Sequence, residues 1–191
     1  MIIGITGGIG SGKSTIAKEL AKRGFAIYDC DREAKRIIAE DKAVQKSIKD
    51  LLGEEAFVNG VYNTAYVAQR VFEDPELLTE LNAIVHPKVK EDIVLHKPDF
   101  VESAILFEAG LDALCDKIVV VDASEEVRIA RTINRDYQGQ VTPEIINKVR
   151  ARIRAQKTSA SDSQRPVLTV TNDGTSVLSR IVDLICDFAA H

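Results

Sequence analysis

The sequence predicts an α/β fold: a doubly wound parallel sheet of about five strands, carrying a helical insertion and an arginine-rich hairpin. Three observations predict it. Short apolar runs alternate with amphipathic segments along most of the 191 residues. The first of these runs opens into a glycine-rich turn and then a helix. Residues 43–96 have helical periodicity and no strand that a parallel sheet could use.

Met1 to Thr6 is apolar and reads as a short buried strand. Gly7-Gly8-Ile9-Gly10-Ser11-Gly12-Lys13-Ser14-Thr15 follows, and then a segment with Ile16, Ala17, Leu20 and Ala21 on one helical face, stopped by Gly24. Gly7, Gly12, Lys13 and Ser14 fill the phosphate-binding pattern G-x-x-x-x-G-K-[ST] in the strand–turn–helix context it requires. A triphosphate needs many donors close together. The backbone of Gly8, Gly10, Ser11, Gly12 and their neighbours can supply an anion nest at the helix N-terminus. Lys13 would reach the β- and γ-phosphates as a point charge, and the Ser14 hydroxyl would ligate Mg²⁺ bridging them.

Phe25 to Tyr28 reads as a second strand, ending in Asp29-Cys30-Asp31 before a helix over 32–40. Asp31 either lies at the ligand end of the sheet or caps that helix. Ala43 to Leu52 is a helix stopped by Gly53, and Asn59-Gly60 signals a hairpin or an irregular loop. Ala65 to Phe72 is helical. Asp74 caps a further helix with Pro75 at its first position, and Pro87 should kink or restart it. The third strand runs from Phe100 to Phe107, leading to Glu108, which either caps the next segment or accepts a hydrogen bond from substrate. Lys117 to Asp122 is a buried parallel strand. Ser124 caps the helix carrying Arg128, Arg131 and Arg135, and Thr142-Pro143 starts another with Lys148, Arg150, Arg152, Arg154 and Lys157. These arginines form either a solvated face or a lid whose guanidinium groups close over a transferring phosphoryl group. A polar stretch over 158–165, a strand from Val167 to Thr171 closed by Asn172-Asp173-Gly174, and a helix over 176–188 complete the chain. The expected organisation is one domain: core 1–40, 97–135 and 158–191, acceptor-side insertion 41–96, and lid 136–157.

Composition narrows the function classes. A net charge of −4 argues against a nucleic-acid surface, and no apolar run reaches membrane-spanning length. The chain runs from Met1 straight into its first strand, which reads as the absence of a leader. Cys30, Cys115 and Cys186 lack metal-ligand spacing, so a reduced cytoplasmic setting is expected. Oligomeric state is not legible. Asn147-Lys148-Val149-Arg150 lacks the aspartate of a guanine reader, and no Asp-x-x-Gly follows the third strand, which argues against a nucleotide switch protein. The chain is short for a mechanical ATPase. A small-molecule kinase of P-loop type remains.

Thr6 to Thr15, Asp29-Cys30-Asp31, Leu81 to Pro87, Leu106-Phe107-Glu108, Arg152 with Gln156, and Asn172-Asp173-Gly174 together resemble the dephospho-coenzyme A kinase family, in its order and over almost the whole chain. The resemblance implies ATP-dependent phosphorylation of the ribose 3′-hydroxyl of dephospho-coenzyme A; the alternative is another small-molecule acceptor, such as a nucleoside, a nucleotide or a sugar. By position it implies that Gly10 to Thr15 hold ATP, that Asp31 is the catalytic base, and that Lys13, Arg135 and Arg152 serve the phosphates. It further implies that Asn172 approaches adenine and that Lys35, His86 and Glu108 stand on the acceptor side. The chain departs from the family where arginine is frequent and Lys35 or Thr64 stands, where glutamine is frequent and Arg128 stands, and where Ala-Asp is frequent and Pro166-Val167 stands.

Overall fold

Strand β1 (Ile3–Thr6) is buried along its whole length and lies at the centre of a five-stranded sheet. A computed structural model describes residues 1–156, 163–174 and 177–191. In it, β1 is followed by α1 (Lys13–Lys22), β2 (Ile27–Asp29), α2 (Cys30–Glu40), α3 (Lys42–Leu52), β3 (Phe57–Val58), β4 (Val61–Tyr62), α4 (Thr64–Glu73) and α5 (Pro75–His96). The chain continues through β5 (Phe100–Glu102), β6 (Lys117–Asp122), α6 (Glu125–Asp136), α7 (Pro143–Ala155), β7 (Val167–Thr171) and α8 (Leu178–Ala190). Lys157, the polar stretch from Thr158 to Asp162, and the helix start expected at Ser176 lie outside the described residues.

The strand order is β2-β5-β1-β6-β7, with β1 parallel to both β5 and β6, and β6 parallel to β7. From β1 the chain builds one side of the sheet with β2 and β5, then the other with β6 and β7. The carboxyl end of β1 is therefore the topological switch point, where open α/β sheets bind their ligands. The core on one face follows from the strand period of two and the helix period of 3.6. Ile3 and Ile5 of β1 pack with Ile16 and Leu20 of α1 and with Ile181, Val182 and Ile185 of α8.

By its internal packing the chain divides into Met1–Tyr28 with Pro98–His191, and Asp29–Lys97. The second unit is helical apart from the β3–β4 hairpin, whose turn residues Asn59 and Gly60 both have positive φ (52° and 80°), as a two-residue type I′ turn requires. Helices α2, α3 and α4 pack on α5, which buries Leu81, Val85, Val89 and Ile93 at four-residue spacing. That stripe explains why Pro87 does not restart the helix: α5 runs unbroken for 22 residues. Pro87 and Ala83 are both exposed, so the missing i→i−4 bond falls on the solvent side, while the apolar stripe holds the turns together.

Two expectations change at element ends. The cap of α2 is Asp29, whose Oδ1 accepts from the Arg32 N–H at 3.0 Å; Asp31 is the second residue inside the helix. The third sheet strand in sequence, β5, stops at Glu102 instead of Phe107. From Ser103 the chain turns, with Ala109 N–H donating to Ile105 and Leu111 N–H to Leu106, and the Leu106 side chain is fully buried. Asp29→Ala should therefore lower stability by about 0.5–2 kcal/mol, and Asp29→Asn should retain most of it. Equal losses in thermal unfolding of the two variants would remove the cap from this account.

Candidate phosphate-binding site

The turn between β1 and α1 is built by side chains that hold its carbonyl oxygens. Arg128 of α6 donates from Nε to the Ile9 carbonyl at 2.9 Å. One turn further on, an Arg131 Nη donates to the Ser11 carbonyl at 3.1 Å and, more weakly, to that of Gly10 at 3.4 Å. Asn172, immediately after β7, donates from Nδ2 to the same Ser11 oxygen at 3.0 Å. A trans peptide holds its N–H opposite its C=O. Carbonyls of Ile9 and Ser11 drawn toward these donors therefore send the N–H groups of Gly10 and Gly12 the other way, as an anion nest requires. Gly12 has φ 94°, and a Cβ there would come within 2.2 Å of Asn172 Nδ2, so only glycine fits.

Lys13 opens α1 and is only 8% exposed. Its Nζ donates to the Gly7 carbonyl at 2.8 Å and reaches that of Gly8 at 3.3 Å, which folds the charge over the first half of the loop. Ser14 begins the exposed side, and its Oγ lies 3.5 Å from Oε1 of Glu102, at the end of β5. Thr15 is exposed beside it, with its N–H on the Gly12 carbonyl. One expected donor is committed elsewhere: the Ile9 N–H donates to Gln156 Oε1 at 2.7 Å, and Gln156 in turn donates from Nε2 to Ala104. Among the described residues, the buried side-chain polar atoms without a hydrogen-bond partner are Ser11 Oγ and an Nη of Arg128. Both belong to this loop and its support, and each such atom costs about 1–3 kcal/mol if nothing meets it.

The arginine hairpin is anchored to the loop by packing as well as by hydrogen bonds. Ile129 and Ile133 of α6 and Val149 and Ile153 of α7 form their own buried cluster, against which Ile9 packs. Arg150 and Arg154 of α7 pair with Glu125 of α6. Arg135 and Arg152 meet on one carboxylate, Asp136, at 2.6 and 3.0 Å. The solvated-face reading and the lid reading thus divide the arginines: Arg128 and Arg131 go to the loop, and the others to acidic partners on the hairpin. Ser124 makes no side-chain cap; its N–H donates to Asp173 instead.

The remaining candidates stand as follows. Asp31 and Lys35 are exposed on α2, one turn apart. His86 is half-buried on α5, and burial, helped by Lys90, lowers its pKa below the ordinary imidazole value, which favours the neutral ring. Glu108 is exposed in the turn after β5 and caps no helix; the short 3-10 turn that follows (Asp112–Leu114) has Leu111 at its N-cap. Asn172 is 7% exposed, and the bond to Ser11 engages its amide. Sequence reasoning passed over Glu102 and Asp136. Both sit where an element ends, and the only signal for Glu102 is a lone acid inside an apolar strand.

Comparison with known proteins bears on the whole chain. The dephospho-CoA kinase family model matches residues 1–177. A dephospho-CoA kinase of Bacteroides fragilis is 36% identical, over 96% of this chain and 90% of that protein. One from Fusobacterium nucleatum is 42% identical over 78% and 79% of the two chains. Among solved structures, the crystal structure of TT1252 from Thermus thermophilus superposes with a TM-score of 0.78 at 32% identity, covering 98% of this chain and 97% of the other. A dephospho-CoA kinase from Campylobacter jejuni shares the fold, with a TM-score of 0.67 at 21% identity over 99% and 97%.

The Asp136 carboxyl is held below its ordinary value of 3.8, first by the hydrogen bonds from Arg135 and then by Arg152. Its pKa is thus lower folded than unfolded, so these pairs stabilise the hairpin at neutral pH and are lost as pH falls through the depressed value. Because the pairs are partly exposed they are worth about 1 kcal/mol or less. Asp136→Asn should lower the melting temperature by about 1–4 °C at neutral pH, and the gap to the parent should narrow as the pH falls through the depressed Asp136 value. A gap that persists in acid would mean that the side chain acts by packing rather than by charge.

Proposed function

Since the chain belongs to the dephospho-CoA kinase family, we propose that it transfers the γ-phosphoryl group of ATP to the ribose 3′-hydroxyl of dephospho-coenzyme A, the last step of coenzyme A synthesis. The observation that carries this reading is the β1–α1 loop, with its carbonyls held by Arg128, Arg131 and Asn172 and with Lys13 folded over it, in a chain matched by that family over residues 1–177.

In this reading the loop N–H groups and Lys13 bind the β- and γ-phosphates. Phosphoryl transfer spreads negative charge over the transferring oxygens, so fixed donors around them lower the barrier more than they stabilise the ground state. Arg135 and Arg152, gathered on Asp136, bring two further guanidinium groups on the hairpin. Closure of that hairpin would exclude water, the competing acceptor. Asn172 supports the loop from the end of β7 and faces the nucleotide. Asp31 accepts the proton of the attacking hydroxyl, and Lys35, His86 and Glu108 contact the acceptor. Asp31 is exposed in the first turn of α2, open to a ligand, and Asp29 already serves as the cap.

Hard oxygen donors suit Mg²⁺, which is commonly held by one or two protein groups with phosphate oxygens completing its shell. Ser14 Oγ and Glu102 are such a pair, and among the described residues no cluster of three or more acidic, His or Cys side chains offers a closed cage. Mg²⁺ held there would neutralise charge on the β- and γ-phosphates. No helix among the described residues is long and apolar enough to cross a membrane, and a cytoplasmic location fits the reduced cysteines.

The reading is tested by ATP consumption with dephospho-coenzyme A, nucleoside monophosphates, shikimate and gluconate as acceptors. Turnover should be confined to, or far greater with, dephospho-coenzyme A; preference for another acceptor would replace the substrate. Asp31→Asn should lower kcat by about 10²–10⁴ with ATP affinity nearly unchanged. If Asp29→Asn abolishes turnover while Asp31→Asn does not, the base has been assigned to the wrong carboxylate. Lys13→Ala should cripple turnover with the fold intact, and near-normal activity in that variant would sink the phosphate assignment.

A further inference from the structure

We infer that Arg128 is a second cationic phosphate ligand of this site, acting beside Lys13 on the β- and γ-phosphates of bound ATP. The inference rests on the reading that the β1–α1 loop holds ATP. Three observations carry it. First, among the described residues Arg128 is tethered through Nε, which is on the Ile9 carbonyl at 2.9 Å, while an Nη is buried with no hydrogen-bond partner. Second, that nitrogen lies against Gly8, where a Cβ would come within 2.0 Å of it, so the loop makes room for the guanidinium by having glycine there. Third, Gly7 and Gly8 are the residues whose carbonyls Lys13 Nζ contacts, so the two cations serve the same half of the loop.

A guanidinium offers a planar fork of donors suited to phosphate oxygens, whereas an ammonium is a point charge. With Nε occupied by the backbone, the Nη edge is the part left for a ligand, and its orientation is already set by the tether. Ser11 Oγ, the other unpartnered buried atom, lies in the same loop, which makes it the one place among the described residues where buried side-chain donors await an acceptor. Glutamine in place of Arg128 could keep the tether through its amide but would bring no charge. The arginine thus offers a charge-assisted contact.

The test is equilibrium binding of ATP, ADP and AMP to the parent protein, Arg128→Gln and Arg128→Lys, with melting temperature measured for each. If the parent binds no ATP, the underlying reading of the loop fails, and this inference with it. If the parent binds ATP, Arg128→Gln should weaken ATP and ADP about tenfold while AMP changes less than about twofold, since AMP lacks the phosphates concerned. Arg128→Lys, which keeps the charge and loses the fork, should fall between, and it provides the comparison should the glutamine variant fold poorly. ATP affinity unchanged in both variants, or AMP weakened as much as ATP, would overturn the inference and leave Arg128 a tether of the loop alone.

Discussion

The direction of the peptide units between Gly8 and Gly12 is the constraint on which the rest of this structure turns. A loop that presents N–H groups to an anion must put its carbonyls somewhere, and a buried carbonyl without a donor is costly. Here the donors come from far along the chain. Arg128 and Arg131 stand one turn apart on α6, and Asn172 follows β7. The strand order β1-β6-β7 is what brings them together, because α6 leaves β6 and Asn172 leaves β7 at the same edge as the loop. The sheet topology and the polarity of the loop are one arrangement, seen at two scales.

The same economy explains the arginines. Seven positive residues on α6 and α7 would repel one another as a bare face, and the acids among them divide that charge. Glu125 takes Arg150 and Arg154, and Asp136 takes Arg135 and Arg152. These pairs are partly exposed and contribute little stability individually. Their effect is to fix where guanidinium groups stand. Cohesion of the hairpin comes from Ile129, Ile133, Val149 and Ile153, each worth about 1.5–3 kcal/mol when buried. Packing Ile9 on that cluster ties a loop residue to the hairpin, so a change at the phosphates has a mechanical route to α6 and α7.

Within residues 29–97 the charged groups are arranged differently. Arg36 binds Glu33, Glu40 and Asp92, which raises its own pKa and holds the Glu33 carboxyl below the ordinary range. That network links α2 to α5 on the helix that also carries Asp31 and Lys35. His86 lies on α5 with its pKa lowered by burial, so near neutral pH it can offer a ligand a hydrogen bond but little charge. Cationic recognition at this position of α5 therefore does not come from His86.

What the sequence determined by itself is whatever local pattern encodes. Residue period and turn chemistry are carried by neighbours in the chain, so the five-stranded parallel sheet, the strand Lys117–Asp122, the caps at Asp74 and Thr142, and the glycine-rich loop with Lys13 and Ser14 were all legible. Tertiary structure decided the rest. The end of β5 at Glu102, the passage of α5 through Pro87, and the cap at Asp29 each follow from packing or hydrogen bonding that local preference does not contain. Sequence spacing put Arg128, Arg131 and Arg135 on one helix face but could not divide them between loop carbonyls and Asp136. That division depends on which strand lies beside β1, and a side chain's partner across 120 residues is fixed by sheet order rather than by anything its neighbours carry.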